Sequence, residues 1–194
     1  MHKKKRLILA SASPRRKEIL KTAGLEFKVD SSSFKENMDL AFEPHKLARF
    51  LSYEKARSVA GRHKKALVIA ADTFIVFKGE LLGKPHTGEE ARRMLKTLNG
   101  KTHSVITGFT ILDTDSNKKI SRSVETKVSF KRLTMEEIDS YIKSKEPLDK
   151  AGAYAIQGLG AVIVKRIEGD YFNVMGLPLS SLIEALKKFG VYVL

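Results

Sequence analysis

The stretch "LILASASPRRKEIL", Leu7 to Leu20, decides the fold. Its apolar run, Leu7 to Ala10, reads as a buried strand that ends in small residues. Ser13 is a good N-cap, and Pro14 falls at the first helical position, where its missing N–H costs nothing. Ile19, Leu20 and Ala23 mark the buried face of the helix, and Gly24 ends it. Such a strand-to-helix junction also presents backbone N–H groups and a positive dipole end to an anion. Arg15 and Arg16 add permanent charge and forked donors that match phosphate oxygens. Because adjacent helical residues point about 100° apart, the two arginines do different jobs. The same residues also describe an ordinary capped helix with solvated arginines, and the stretch alone does not choose.

Working outward, "EFKV" alternates as a second strand, 30–43 is a polar loop, and Pro44 opens a longer helix. Leu47, Ala48, Leu51 and Ala56 share one face of that helix, which Gly61 closes. "ALVIAAD" is a central strand, with "TFIVF", a Lys78-Gly79 turn and "ELLG" read as a following hairpin. Thr87 to Glu90 forms a capping box, two long strands span about 102–113 and 118–131, and a second capping box at Thr134 and Glu137 opens a helix. After a glycine-rich loop, "AVIVKRI" and "YFNVM" read as short strands, and a last helix covers 178–189. Strands and helices alternate without repeats, which predicts an α/β fold with a mixed, twisted sheet flanked by helices. The whole chain, 1–194, reads as one domain. Its long central hairpin is a candidate for a smaller lobe around 102–145, leaving a cleft between two lobes.

Composition narrows the function. The longest apolar runs, such as "ALVIAA" at 66–71, fall far short of the ~20 residues of a membrane span. The N-terminal "MHKKKRLILASA" has a basic head, but Leu7 to Ala10 is shorter than the roughly 7–15 apolar residues of a secretory signal. A cytoplasmic protein is expected. With no cysteine, disulfides, thiolate zinc sites and cysteine nucleophiles are excluded. The five histidines lack HExxH spacing, so zinc has no signal. A net charge of +14 attracts polyanions. It is dispersed over "KKKR", "RRK", "RHKK" and "NKK" with few interleaved aromatics, so nucleic acid is not expected as the partner. A single glutamine, no tryptophan and many Lys and Glu are compatible with a thermophilic source.

Two phosphate-loop look-alikes fail. "GELLGK" has one residue too few between its glycines and proline in place of Ser or Thr, and "GLGAVI" lacks the third glycine of a dinucleotide fingerprint. "AADT", Ala70 to Thr73, is different, because it puts an acid where the most apolar strand should end. Open α/β sheets bind ligands at that position, although strand-end aspartates are also simple turn formers. Glu36, Lys55 and Lys84 are charged residues in the flanking elements. Two acids with several cations are what a metal-bound triphosphate requires. In "EPLDKAGAYAIQGLG" the glycines suggest close backbone approach to a ligand. Gln157 offers a donor and an acceptor to a base edge.

Together these residues resemble the Maf family of nucleoside triphosphate pyrophosphatases. "LASASPRR", "EKAR", "AADT", "GKP", "VSFKRLT", "EPLDKAGAYAIQGLGA" and "VMGLPL" follow the family's order nearly end to end. The resemblance implies hydrolysis between the α- and β-phosphates of a nucleotide and an inosine triphosphate pyrophosphatase-like fold with a cleft. It also implies a divalent cation, Mg²⁺ or Mn²⁺, and a homodimer. Asp72 matches the family's catalytic acid, while Arg15, Thr73 and Gln157 match the positions that separate its specificity classes. Their pattern is similar to the branch preferring dTTP and UTP. Beside that, Ser11, Ser13, Arg16, Lys55 and Lys84 are expected to bind phosphate, and Glu36 to share a metal with Asp72. Two rival readings remain: a non-catalytic nucleic-acid-binding or septum-formation regulator, and an enzyme cleansing non-canonical purine triphosphates.

Overall fold

A computed structural model describes residues 5–35 and 40–194. In chain order the elements are β1 (Arg6–Leu9), α1 (Pro14–Thr22), β2 (Phe27–Val29), α2 (Pro44–Ala60), β3 (Ala66–Phe77) and β4 (Glu80–Leu82). Then come α3 (Gly88–Leu98), β5 (Thr102–Asp113), β6 (Lys119–Phe130), α4 (Met135–Lys143), three short 3₁₀ turns, β7 (Val164–Glu168), α5 (Tyr171–Met175) and α6 (Leu179–Lys187). The strands form one mixed seven-stranded sheet in the order β2-β1-β3-β5-β6-β7, with β4 paired to β3. β1 runs parallel to β2 and β3, whereas β3–β4 and β6–β7 are antiparallel. The fold is α/β with helices flanking a mixed sheet, as expected.

Two compact units make up the chain. The first combines Met1–Asp72, Thr107–Val124 and Gly176–Leu194; the second combines Thr73–Ile106 and Glu125–Met175. In the first, Ile8, Ala10, Val68 and Ala70 pack with Ala56 and Val59 of α2 and with Leu112. The alternate residues Leu7, Leu9, Leu67 and Ile69 are equally buried, as parallel strands covered on both faces require. Ser13 caps α1, its hydroxyl accepting from the Arg16 N–H. The helix ends in a Schellman motif, with Leu25 N–H bonded to the Leu20 carbonyl at 3.2 Å and Gly24 N–H to Lys21 at 2.8 Å. Gly24 takes φ +65° there. α2 lies backbone-on-backbone against β5, since a Cβ on Gly108 would sit 2.1 Å from the Ala48 carbonyl oxygen.

In the second unit α3 and α4 bury Ala91, Leu95, Leu98, Ile138 and Tyr141 against Ile75, Val105, Val128 and Phe130. Thr134 and Glu137 form the reciprocal capping box of α4. At α3 only half of the expected box is present. Thr87 accepts from Glu90 N–H at 3.1 Å, but the Glu90 carboxylate reaches one residue further back, to His86 N–H at 2.7 Å.

Two elements differ from expectation. β3 does not end at Asp72; it continues unbroken to Phe77, because "TFIVF" is β-branched and aromatic with no breaker. Asp72 is therefore a mid-strand residue. "YFNVM" is the helical turn α5 rather than a strand. Asp170 caps it, accepting from Asn173 N–H at 3.2 Å, and the fully buried Asn173 amide donates to the Val105 carbonyl and the Thr126 hydroxyl, each at 3.0 Å. Those bonds outweigh the β-propensity of tyrosine, phenylalanine and valine.

One buried titratable group bears on stability. His103 is only 3% exposed, hydrogen-bonded through Nε2 to the Tyr154 hydroxyl at 2.8 Å and edge-on to the Phe130 ring. Its Nδ1 has no hydrogen-bond partner among the described residues. Burial pushes the imidazole pKa down to about 4. In the unfolded chain it titrates near its ordinary value of about 6.5, so between these values only the unfolded chain takes up the proton. Stability is thus complete above about pH 6.5 and is lost as the pH falls to about 4, by roughly 3 kcal/mol. Urea unfolding at both ends of that window should show the loss in the wild type and not in His103→Phe; equal losses would contradict it.

Candidate active site

The parallel pairing of β1 with β3 sets up the site. Leu9 lies opposite Ile69, so two residues beyond Leu9 comes Ser11, and three beyond Ile69 comes Asp72. The start of α1, just past the end of β1, consequently lies level with Asp72 in the middle of the adjacent strand β3. Asp72 is 3% exposed and Lys55, on α2, is 8% exposed. The Lys55 Nζ forms an ion pair and hydrogen bond with Asp72 Oδ1. Two charges buried this deeply need each other, since either alone would carry an uncompensated desolvation cost.

At the start of α1, the buried Ser11 hydroxyl accepts from Ser13 N–H at 3.3 Å and from Arg16 Nη1 at 3.2 Å. Arg16 Nε donates to the Gly176 carbonyl at 2.8 Å, which ties the "MGLP" turn to the helix. Arg16 therefore organises the loop as well as charging it. Arg15, one position earlier, is half-buried. In the first unit the structure thus joins Ser11, Ser13 and Arg16 by hydrogen bonds and Lys55 to Asp72 by an ion pair, with Arg15 next to Arg16 on α1. Glu36 lies outside the described residues. The loop that leads to it is anchored to the far end of α2, where Asp30 accepts from Arg62 Nη2 at 2.8 Å and lies 2.7 Å from His63 Nε2. The Arg62 and His63 contacts hold the Asp30 carboxyl at about 2, well below the usual carboxylate range. Among the described residues no group of three acids or histidines is arranged for a metal.

Thr73, Lys84 and Gln157 belong to the second unit. Thr73 is the half-buried neighbour of Asp72 on β3, and Lys84 is exposed just beyond β4. The Gly83 carbonyl accepts from Gly152 N–H at 2.8 Å, tying the lysine's segment to the glycine-rich loop. Gln157 is the half-buried N-cap of the 3₁₀ turn Gly158–Val162.

The expectation that this loop's glycines make room for a ligand is replaced by a different finding. They make room for the protein itself. A Cβ at Gly152 would lie 2.2 Å from Ile75 Cδ1, one at Gly158 2.5 Å from Glu146 Oε2, and one at Gly160 2.2 Å from the Ala155 carbonyl oxygen. Glu146 and Tyr141, which sequence reasoning passed over, organise that crowding. Glu146 accepts from Leu159 N–H at 3.1 Å, Gly160 N–H at 2.9 Å and the Tyr141 hydroxyl at 2.8 Å. The glycines were the available signal, but nothing local names the carboxylate that fills the space they leave.

Comparison with known proteins follows the same residues. The family model described as Maf-like protein matches residues 6–189. A dTTP/UTP pyrophosphatase from Methanosarcina barkeri is 51% identical over 190 residues, covering 97% of this chain and 96% of its own. Proteins of the same name from Methanococcoides burtonii and Bacillus cereus are 48% and 46% identical; each match covers 97% of this chain, and 97% and 92% of the relative. No helix among the described residues is long and apolar enough to cross a membrane.

The buried ion pair makes a stability prediction. Lys55→Met strands the Asp72 carboxylate and should lower the unfolding free energy by about 3–5 kcal/mol. Adding Asp72→Leu should restore most of it, because a matched apolar pair carries no desolvation cost. Denaturant unfolding of the single and double variants reads this directly; two additive losses would contradict the pairing.

Proposed function

The chain belongs to the Maf-like protein family, and from that premise we propose that it is a nucleoside triphosphate pyrophosphatase acting on dTTP and UTP. The nucleotide is cut between its α- and β-phosphates into the monophosphate and pyrophosphate. The names of the relatives support the reaction and the substrates. The observation that carries the chemistry is the buried Lys55–Asp72 pair beside the capped start of α1.

In this reading a water attacks the α-phosphorus and Asp72 accepts its proton. The new bond joins the water oxygen to the α-phosphorus. The bond to the bridging oxygen breaks, and its electron pair leaves with pyrophosphate. Lys55 orients the Asp72 carboxylate and lends positive charge to the phosphoryl oxygens. Arg15, Arg16 and Lys84 neutralise the phosphate chain, and Ser11 and Ser13 with the first N–H groups of α1 cradle it.

A divalent cation, Mg²⁺ or Mn²⁺, would supply polarisation of the phosphoryl oxygens. Magnesium is typically bound through one or two carboxylates, with the remaining ligands drawn from phosphate and water. Asp72 would supply one carboxylate, and Glu36 is proposed as the second. Thr73 and Gln157 select the pyrimidine through its O4, N3 and O2 edge.

Asp72→Asn keeps the shape of the side chain and removes the proton acceptor. Pyrophosphate release from UTP with Mg²⁺ should fall about 10²- to 10⁴-fold, while the far-ultraviolet circular dichroism stays unchanged. A fully active Asp72→Asn enzyme would overturn the assignment of the base. In the same assay UTP and dTTP should turn over faster than ITP; the reverse order would point to purine cleansing.

A further inference from the structure

We propose that Tyr141 and Glu146 are positioning residues for Gln157, together fixing the backbone on both sides of the side chain that reads the base. This rests on the base-reading role of Gln157 given above. The Tyr141 hydroxyl is the hinge of the arrangement. It accepts from Ala155 N–H at 3.1 Å, two residues before Gln157, and donates to Glu146 Oε1 at 2.8 Å. The carboxylate then accepts from Leu159 and Gly160, two and three residues after Gln157. One hydroxyl and one carboxylate thereby clamp residues 155 to 160 into a tight loop with Gln157 at its turn.

Three features make this more than loop packing. First, the clamp leaves no slack. A Cβ at Gly160 would run into the Ala155 backbone and the Tyr141 hydroxyl, and one at Gly158, where φ is +66°, would push the Glu146 carboxylate out of its place. Second, the clamp is built on a rigid support, since Tyr141 is buried in the core formed by α3, α4 and the sheet. Third, the three bonds that the Glu146 carboxylate accepts are charge-assisted, which makes them stronger than neutral ones. Burial pushes the Glu146 carboxyl up, but the Gly160 N–H, the Tyr141 hydroxyl, the Leu159 N–H and the nearby Lys150 charge together hold it below the usual range. Gln157 has backbone angles of φ −113° and ψ 170°. Its χ angles start from a backbone that the clamp defines, so a shift of the loop moves the amide relative to the base it reads. Specificity built on paired hydrogen bonds is sensitive to such displacement.

The test compares Glu146→Gln, Tyr141→Phe, Gln157→Ala and the double variant Glu146→Gln/Gln157→Ala, with kcat and KM measured for UTP and GTP. In Glu146→Gln an amide NH₂ faces a backbone N–H, and the loop must shift. Its preference for UTP over GTP in kcat/KM should fall about tenfold, through KM for UTP, with kcat changed less than about threefold. Tyr141→Phe should move the same ratio in the same direction by a smaller factor, and it carries the test if Glu146→Gln does not fold. Because Glu146 acts through Gln157, the double variant should match Gln157→Ala alone. A double variant worse by the product of the single losses, or a Glu146→Gln enzyme with wild-type preference beside an impaired Gln157→Ala, would overturn the positioning role alone. An unimpaired Gln157→Ala would instead remove the base-reading role, and this inference with it.

Discussion

The first unit is organised around the ion pair between Lys55 and Asp72. A lysine and an aspartate this deeply buried are tolerated only because each compensates the other, and the pair is possible only because α2 is held close to the sheet. Gly108 allows that approach. With no Cβ there, the Ala48 segment of α2 rests directly on β5, while Ala56 and Val59 pack on Ile8, Val68 and Ala70. The apolar packing sets the height of the helix above the strands, and that height sets where the Lys55 ammonium meets the carboxylate. The charged pair thus sits between a helix and a strand that are both packed into the core of their unit.

The second unit solves a different problem. Its glycine-rich loop has little side-chain volume with which to hold itself, and it is instead tied by its backbone. Gly152 N–H is bonded to Gly83, Ala155 N–H to Tyr141, and Leu159 and Gly160 to Glu146. Backbone bonds of this kind fix a loop without requiring a core of its own, provided that every close approach falls on glycine. Tyr154 of the loop joins His103 and Phe130 in an edge-to-face aromatic cluster, which anchors the loop to the core.

Much of this was legible in the sequence, for local reasons. Ser13-Pro14 and Thr134-x-x-Glu137 announce helix starts because the cap and the first turn are neighbours in the chain. Strands β5 and β6 are long and bounded by turn residues, and their limits match within a residue or so. What was not legible depends on distant partners. The helical turn at 171–175 follows from the bonds of Asn173 to Val105 and Thr126. The Lys55–Asp72 contact spans 17 residues and two elements, so the pattern supplied two charged residues but not their meeting. Arg16 was expected to serve phosphate alone, and its bond to Gly176, 160 residues away, has no local signature. The candidate residues themselves were put forward from the order of short motifs along the chain rather than from any one of them.

A charge of +14 distributed over the chain gives no extended stripe in the sequence for a polymer to follow, and the cation that meets Asp72 is Lys55. The most direct measurement is a crystal structure with Mg²⁺ and a UTP analogue whose α,β-bridging oxygen is replaced by nitrogen. The α-phosphate should lie within hydrogen-bonding reach of Lys55, with Arg15 at the triphosphate and Asp72 facing the α-phosphorus opposite the bridging nitrogen. A nucleotide bound with its triphosphate away from Lys55 and Asp72 would contradict it.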